Sequence, residues 1–169
     1  MKIIDVQKSL PWKGSNGKMD PKKIKFLVVH HDAIPIPARY NTMARILQIA
    51  KLHVAQPKRF GGHIAYHYTI DNIGDVYRCF PETEVGYHAG NLPVNKASIA
   101  VMLQGNFETQ KPTQKQIEAL TQFIKWMTTE RPDLPLVVKS TIKLHKEVRK
   151  LPTACPGKYL IPVVNKLRK

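Results

Sequence analysis

Seven histidines in 169 residues is a large share, and three potential metal donors stand where a fold could hold them rigidly. His30 ends an apolar run. His145 follows the short apolar piece Ile142-Lys143-Leu144. Cys155 sits in Thr153-Ala154-Cys155-Pro156-Gly157, a turn sequence ahead of a helical pattern. Two imidazoles and one thiolate make the ligand set of a catalytic zinc site, with a fourth corner left open. Soft sulfur beside borderline nitrogen favours zinc over magnesium or calcium. Spacing alone does not assemble such a site, because His30 and His145 are 115 positions apart. Taken singly, each histidine is equally at home on a surface or in a core, and Cys155 equally reads as a small buried hydrophobe. His31 competes with its neighbour His30.

Positioning falls to the elements that the sequence pattern predicts. Ile24-Lys25-Phe26-Leu27-Val28-Val29 reads as a buried strand running straight into His30-His31-Asp32. Apolar positions within 39–54 have helical spacing, and Pro57 with Gly61-Gly62 ends that segment. Residues 65–70 and 75–79 read as two strands about a turn at Asn72-Ile73-Gly74. A loop over 81–97 leads to a strand at 98–103. Thr113 with Gln116 begins the strongest helix, 113–129, on which Ile117, Leu120, Ile124 and Met127 share a face. Val137-Val138 and Ile142-Leu144 read as extended, and Leu160 to Leu167 as a final helix. Residues 1–23, rich in turn formers, read as an arm packed on the domain. The order of elements predicts an α/β fold, a mixed central β-sheet flanked by helices, with residues 1–169 as one domain.

Composition narrows the classes further. A 43% apolar share supports a real core, and two cysteines exclude a disulfide-dense scaffold. No apolar run approaches the ~18–20 residues of a membrane span. The start, Met1 to Gly14, lacks the long apolar stretch of a signal peptide. Lys and Arg number 27 against 12 Asp and Glu, a net charge of +15 that draws the protein to polyanions. No zinc-finger spacing, aromatic-studded RNA motif or helix-turn-helix accompanies that charge, so nucleic acid is not the expected partner.

Five motifs in order carry a resemblance. Phe26-Leu27-Val28-Val29-His30-His31 opens the series. Ala65-Tyr66-His67-Tyr68-Thr69-Ile70 with Gly74-Asp75-Val76-Tyr77 follows, then Val85-Gly86-Tyr87-His88-Ala89-Gly90-Asn91. Ser98-Ile99-Ala100-Val101 through Gly105-Asn106-Phe107 comes next, and His145 with Thr153-Ala154-Cys155-Pro156-Gly157 closes it. Together they resemble the type-2 amidase family of zinc N-acetylmuramoyl-L-alanine amidases, which includes phage lysozyme-like amidases and peptidoglycan recognition proteins. Ala100 stands where that family usually has Gly, and the stretch from His145 to Cys155 is slightly longer than usual.

The resemblance implies one zinc ion on His30, His145 and Cys155. It implies Tyr66 as catalytic tyrosine and Thr153 as its partner in catalysis, with His88, Asn91 and Tyr87 along a substrate groove. His67 is expected to be structural and Cys79 to be core. Trp12 is expected to pack the arm, and Arg39 and Arg78 are candidates to meet stem-peptide carboxylates. The implied reaction is hydrolysis of the amide between N-acetylmuramic acid and L-alanine of the stem peptide. Peptidoglycan and anionic wall polymers are the expected partners, and a monomer is expected. Without a signal, the implied setting is synthesis in the cytoplasm and action on the wall after release, as an endolysin, or by non-classical export, as an autolysin. The alternative is a peptidoglycan-binding module on the same fold that does not cut.

Overall fold

The computed structural model describes all 169 residues. One six-stranded sheet carries the molecule: β1 (Ile3–Asp5), β2 (Phe26–His31), β3 (Tyr68–Ile70), β4 (Val76–Arg78), β5 (Ser98–Leu103) and β6 (Ile142–Leu144). Their spatial order is β1-β4-β3-β5-β2-β6, and only the β3–β4 pair is antiparallel. The helices are α1 (Thr42–Val54), α2 (Pro57–Phe60), α3 (Leu92–Asn95), α4 (Gln114–Thr129), α5 (Val138–Thr141), α6 (His145–Val148) and α7 (Ile161–Leu167). This is the mixed sheet with flanking helices that the element order predicts.

The centre is β2 against β5, six residues in register from Phe26↔Ser98 to His31↔Leu103. Parallel strands covered on both faces are apolar almost throughout, as Leu27-Val28-Val29 and Ile99-Ala100-Val101 show; all six are fully buried. Side chains alternate across the sheet. Leu27, Val29, Ile99, Val101 and Leu103 join Leu120, Phe123 and Met127 of α4 in the larger core. The opposite face meets α1, where Ile46, Ile49 and Ala50 pack with Met102, Tyr77 and Phe80. His30 lies on the α1 face with Val28, and His31 on the α4 face with Val29.

The predicted capping box forms at α4. Thr113 Oγ1 accepts from the Gln116 N–H, and Gln116 Oε1 accepts from the Thr113 N–H, both at 3.1 Å. Phe123 takes the centre of its buried face, and Ile117 lies at the rim. The turn expected at Asn72-Ile73-Gly74 is also present. Asp71 Oδ1 accepts from the N–H groups of Ile73 and Asp75, and Gly74 sits at φ +89°, where a Cβ would come within 2.8 Å of the Lys115 carbonyl.

Three local expectations change. The arm over residues 1–23 does more than pack: Ile3–Asp5 adds an edge strand parallel to β4, and the Trp12 ring lies tilted against Phe80 with 5.0 Å between centroids. Val137-Val138 is not an extended pair. The Thr141 hydroxyl accepts from the Val137 N–H at 2.9 Å and donates to the Val137 carbonyl, closing the helical turn α5 ahead of β6. The strand expected over 65–70 is regular only from Tyr68, which leaves Tyr66 outside the ladder.

Candidate metal centre

β2, β5 and β6 run parallel, so their C-terminal ends gather at one edge of the sheet. His30 is placed there by β2 and is completely buried. β6 ends at Leu144, and His145 follows as the first residue of α6. The chain returns through Thr153 to Cys155, whose carbonyl accepts from the Lys146 N–H at 3.1 Å, tying the two segments together. The ligand atoms of His30, His145 and Cys155 thereby lie within 4.8 Å of one another. The His30 and His145 rings are 4.4 Å apart between centroids.

The donors fit zinc. For tetrahedral zinc with its usual bond lengths, nitrogen and sulfur ligands stand about 3.6 Å apart; His30 Nδ1 and Cys155 Sγ are separated by 3.8 Å. Both ring nitrogens of His145 are buried without a hydrogen-bond partner. Buried polar atoms are ordinarily satisfied, so an unbonded imidazole beside a cysteine and a second histidine makes this a candidate cation site.

The surroundings set the protonation states. Burial, reinforced by His145 and His88, holds His30 neutral well below the usual histidine range. Burial and then Arg149 depress His145 to about 4, and the nearby Ala89 backbone offsets this only in part. Neutral imidazole is the form that ligates. Burial pushes the Cys155 thiol up to about 12, although the His31 N–H donates to its sulfur at 3.4 Å. That thiol therefore loses its proton only when a cation replaces it.

Behind His30 runs a fixed chain of polar groups. His30 Nε2 meets His88 Nδ1 at 3.0 Å, His88 Nε2 meets Ser98 Oγ at 3.0 Å, and Ser98 donates to the Val94 carbonyl at 2.6 Å. This occupies Nε2 and leaves Nδ1 facing Cys155. Orientation of a ligand histidine through its second nitrogen is a general feature of metal sites. His31 faces away: its Nδ1 accepts from the Phe107 N–H at 3.2 Å, and its ring stacks on Phe107.

Tyr66 is half-buried, with its ring 5.2 Å from His30 and 5.7 Å from His53. Burial, then Cys155 and Asp32, raises its pKa, so the hydroxyl stays protonated and can donate. His53 fixes the segment by accepting from the Ala65 N–H at 3.1 Å. Thr153 Oγ1 accepts from the Cys155 N–H at 3.2 Å, leaving its own proton free.

The groove residues of the sequence reading are differently disposed. His88 is buried behind His30 and does not form an exposed wall. Asn91 donates to the Val148 carbonyl at 2.9 Å, joining the 81–97 loop to α6. Tyr87 is half-buried against the larger core. Gly86 lets that loop lie on the 65–67 segment, since a Cβ there would come within 2.5 Å of the Ala65 carbonyl. Arg78 is taken up by Asp5 and the Tyr68 hydroxyl. Arg39 is exposed on a 350 Å³ cleft beside the loop that follows β2. His67 is structural: Nδ1 accepts from the Ala100 N–H and Nε2 lies 3.1 Å from the Glu84 carbonyl. Cys79 is core.

Sequence reasoning passed over Ser98, His53 and the buried pair Asp32–Arg45. Arg45 Nε and Nη2 each donate to Asp32 at 2.6 Å, and Asp32 also accepts from the N–H groups of Gly105 and Ile34. This locks the chain just past His31. A serine heading a fully apolar strand, and an arginine on the apolar face of a helix, were the available signals. No carboxylate is free beside the donors: Asp32 is bound to Arg45, and Glu147 to Arg168 and the Leu144 N–H.

Comparison with known proteins bears on the fold and the family. Over 82% of its length the chain is 25% identical to peptidoglycan-recognition protein 2 of Holotrichia diomphalia, covering 70% of that protein. In fold it is similar to the N-acetylmuramoyl-L-alanine amidase LysC from Clostridium intestinale, with a TM-score of 0.72, 23% identity, and 99% and 97% of the two chains covered. It is likewise similar to peptidoglycan recognition protein-LE in complex with tracheal cytotoxin, a monomeric diaminopimelic acid-type peptidoglycan. That match has a TM-score of 0.78 and 18% identity, with 97% and 92% covered. Residues 20–158, carrying the sheet from β2 to β6 and all three donors, match the model of one family, and the chain belongs to it: the N-acetylmuramoyl-L-alanine amidases of the Amidase_2 type.

Proposed function

We propose that this protein is a zinc-dependent peptidoglycan amidase that hydrolyses the bond between the N-acetylmuramic acid lactyl group and L-alanine of the stem peptide. The observation that carries the reading is the convergence of His30, His145 and Cys155 within 4.8 Å, with both His145 nitrogens lacking any other partner. Bound there, zinc supplies Lewis-acid activation of water and of the amide carbonyl.

The chain's own residues supply the rest. His88 and Ser98 hold the His30 ring so that Nδ1 faces the cage. The protonated Tyr66 hydroxyl donates to the oxygen on which negative charge develops, and Thr153 donates from the Cys155 side. Water adds its hydroxyl to the lactyl carbonyl carbon, the C–N bond breaks, and the alanine nitrogen leaves with a proton as a free amine. Asp32 and Glu147 are committed elsewhere, so neither acts as proton carrier.

The second reading, binding without cutting, needs no thiolate in the cage. Retention of Cys155 beside Tyr66 and Thr153 favours catalysis. Mass analysis of digested peptidoglycan tests the choice: new L-alanine amino termini with free lactyl-muramic ends support the amidase. Zinc bound in equimolar amount with no such ends would leave the binding module.

A further inference from the structure

A second charged feature lies at the other edge of the sheet. Lys25 immediately precedes β2, Lys96 and Ala97 precede β5, and Thr141 precedes β6. These strands are parallel, so their N-terminal ends meet at the edge opposite His30, about 17 Å away along β2. Lys22 and Lys23 arrive on the helical turn Pro21–Lys23, and Lys25 is pinned where its N–H donates to the Ala97 carbonyl at 2.8 Å. Together with Pro135 these residues line a 680 Å³ cleft, larger than the one beside Arg39.

Its chemistry is one-sided. All four lysines are exposed. Asp20 is the only carboxylate in contact, 3.8 Å from Lys23, and it is partly spent accepting from the Lys22 N–H. Lys22, Lys25 and Lys96 have no ion-pair partner, and six of the chain's twelve carboxylates are paired elsewhere. The Thr141 hydroxyl is used within α5, and the Ala97 carbonyl accepts from the Lys25 and Phe26 N–H groups, so the lining offers ammonium groups and little else. Four point charges without a guanidinium fork suit a flexible chain of spaced anions better than one bidentate group. Single-stranded nucleic acid is held by aromatic platforms as well as charge; this cleft has none, and the nearby Phe26 ring is covered by Lys143 at 5.8 Å.

We propose that this cleft is a second binding site, taking a base-free phosphodiester polymer of the alditol-phosphate type found in bacterial walls. The choice of a wall polymer rests on the amidase reading; the preference for a phosphodiester chain rests on the cleft alone. An occupant here would tether the protein while the metal edge stays open to the glycan.

The test measures binding of soluble poly(glycerol phosphate) and of an oligothymidylate of equal charge, by anisotropy across a salt series. The cleft variant is Lys22→Gln/Lys25→Gln/Lys96→Gln, and the charge-matched control is Lys111→Gln/Lys115→Gln/Lys125→Gln. The cleft variant is expected to lose roughly tenfold or more at about 0.1 M salt and to flatten the log–log salt slope by about 2, with the control losing under about threefold. Cleavage of a soluble muropeptide, followed separately, is expected to be the same in wild type and both variants. Wild type failing that cleavage would sink the amidase reading without touching the cleft. Equal losses in both variants would show that bulk charge, not the cleft, binds. Tighter binding of the oligonucleotide, lost in the cleft variant, would assign the cleft to nucleic acid and overturn the proposal.

Discussion

Replacing Tyr66 by Phe removes one oxygen from the site and little else. The ring contacts to His30 at 5.2 Å and His53 at 5.7 Å remain. The influences on the hydroxyl are burial and nearby charges, with no hydrogen bond to another group of the chain. The substitution should therefore cost little stability, because it leaves no buried partner unsatisfied. Its catalytic cost is that of a donor to developing negative charge, about 2.7–4 kcal/mol, or roughly 100- to 1,000-fold in kcat. Zinc content should be unchanged, since Tyr66 is not among the donors. The assay is turnover of a soluble muropeptide at saturation, with zinc stoichiometry and thermal midpoint measured on the same preparation. A zinc-loaded, folded Tyr66→Phe protein whose kcat falls less than about threefold would remove the hydroxyl from the reaction.

Other consequences are equally concrete. Cys155→Ala should abolish tight zinc binding and activity together. In the wild type, zinc binding near neutral pH should release about one proton from a thiol otherwise held up to about 12, read from the buffer dependence of calorimetric heats; no release would mean that sulfur is not a ligand. His53 and His67 are both held neutral at about 4 by burial, and each accepts a backbone N–H that protonation would displace. Unfolding lets them protonate near 6.5, so stability should be complete above about pH 6.5 and fall toward pH 4, by about 3 kcal/mol per histidine at most. Urea unfolding series at several pH values measure this, and a flat profile between pH 6.5 and 4.5 would contradict it. Asp32→Asn strands the buried Arg45 guanidinium and should cost about 3–5 kcal/mol, with Asp32→Asn/Arg45→Met recovering part of the loss. A loss under about 1 kcal/mol would mean that the pair does not hold the chain past His31.

Much of the fold was legible because local chemistry and tertiary packing agree. The run from Phe26 to Val29 is apolar at every position because both faces of β2 are covered, and periodicity registers that directly. The Thr113–Gln116 capping box is settled by residues three apart. Elements whose stability comes from outside were harder to read. Ile3–Asp5 is a strand only because β4 offers it an edge. Val138–Thr141 is one short turn, closed on the Val137 carbonyl by the Thr141 N–H and hydroxyl against the extended preference of its valines.

The same division runs through the two sites. Sequence by itself determined the donor types, the strand ends that hold them, and the ordered motifs that mark the family; all of these are properties of residues close together along the chain. It could not determine that His145 is left without a partner, that His88 stands behind His30 instead of lining a groove, or that Lys96 comes to lie with Lys22 and Lys25. Those facts depend on which strand ends the parallel sheet brings to each edge. A contact between distant segments is fixed by strand order and register, and neither is written in the spacing of the residues that meet.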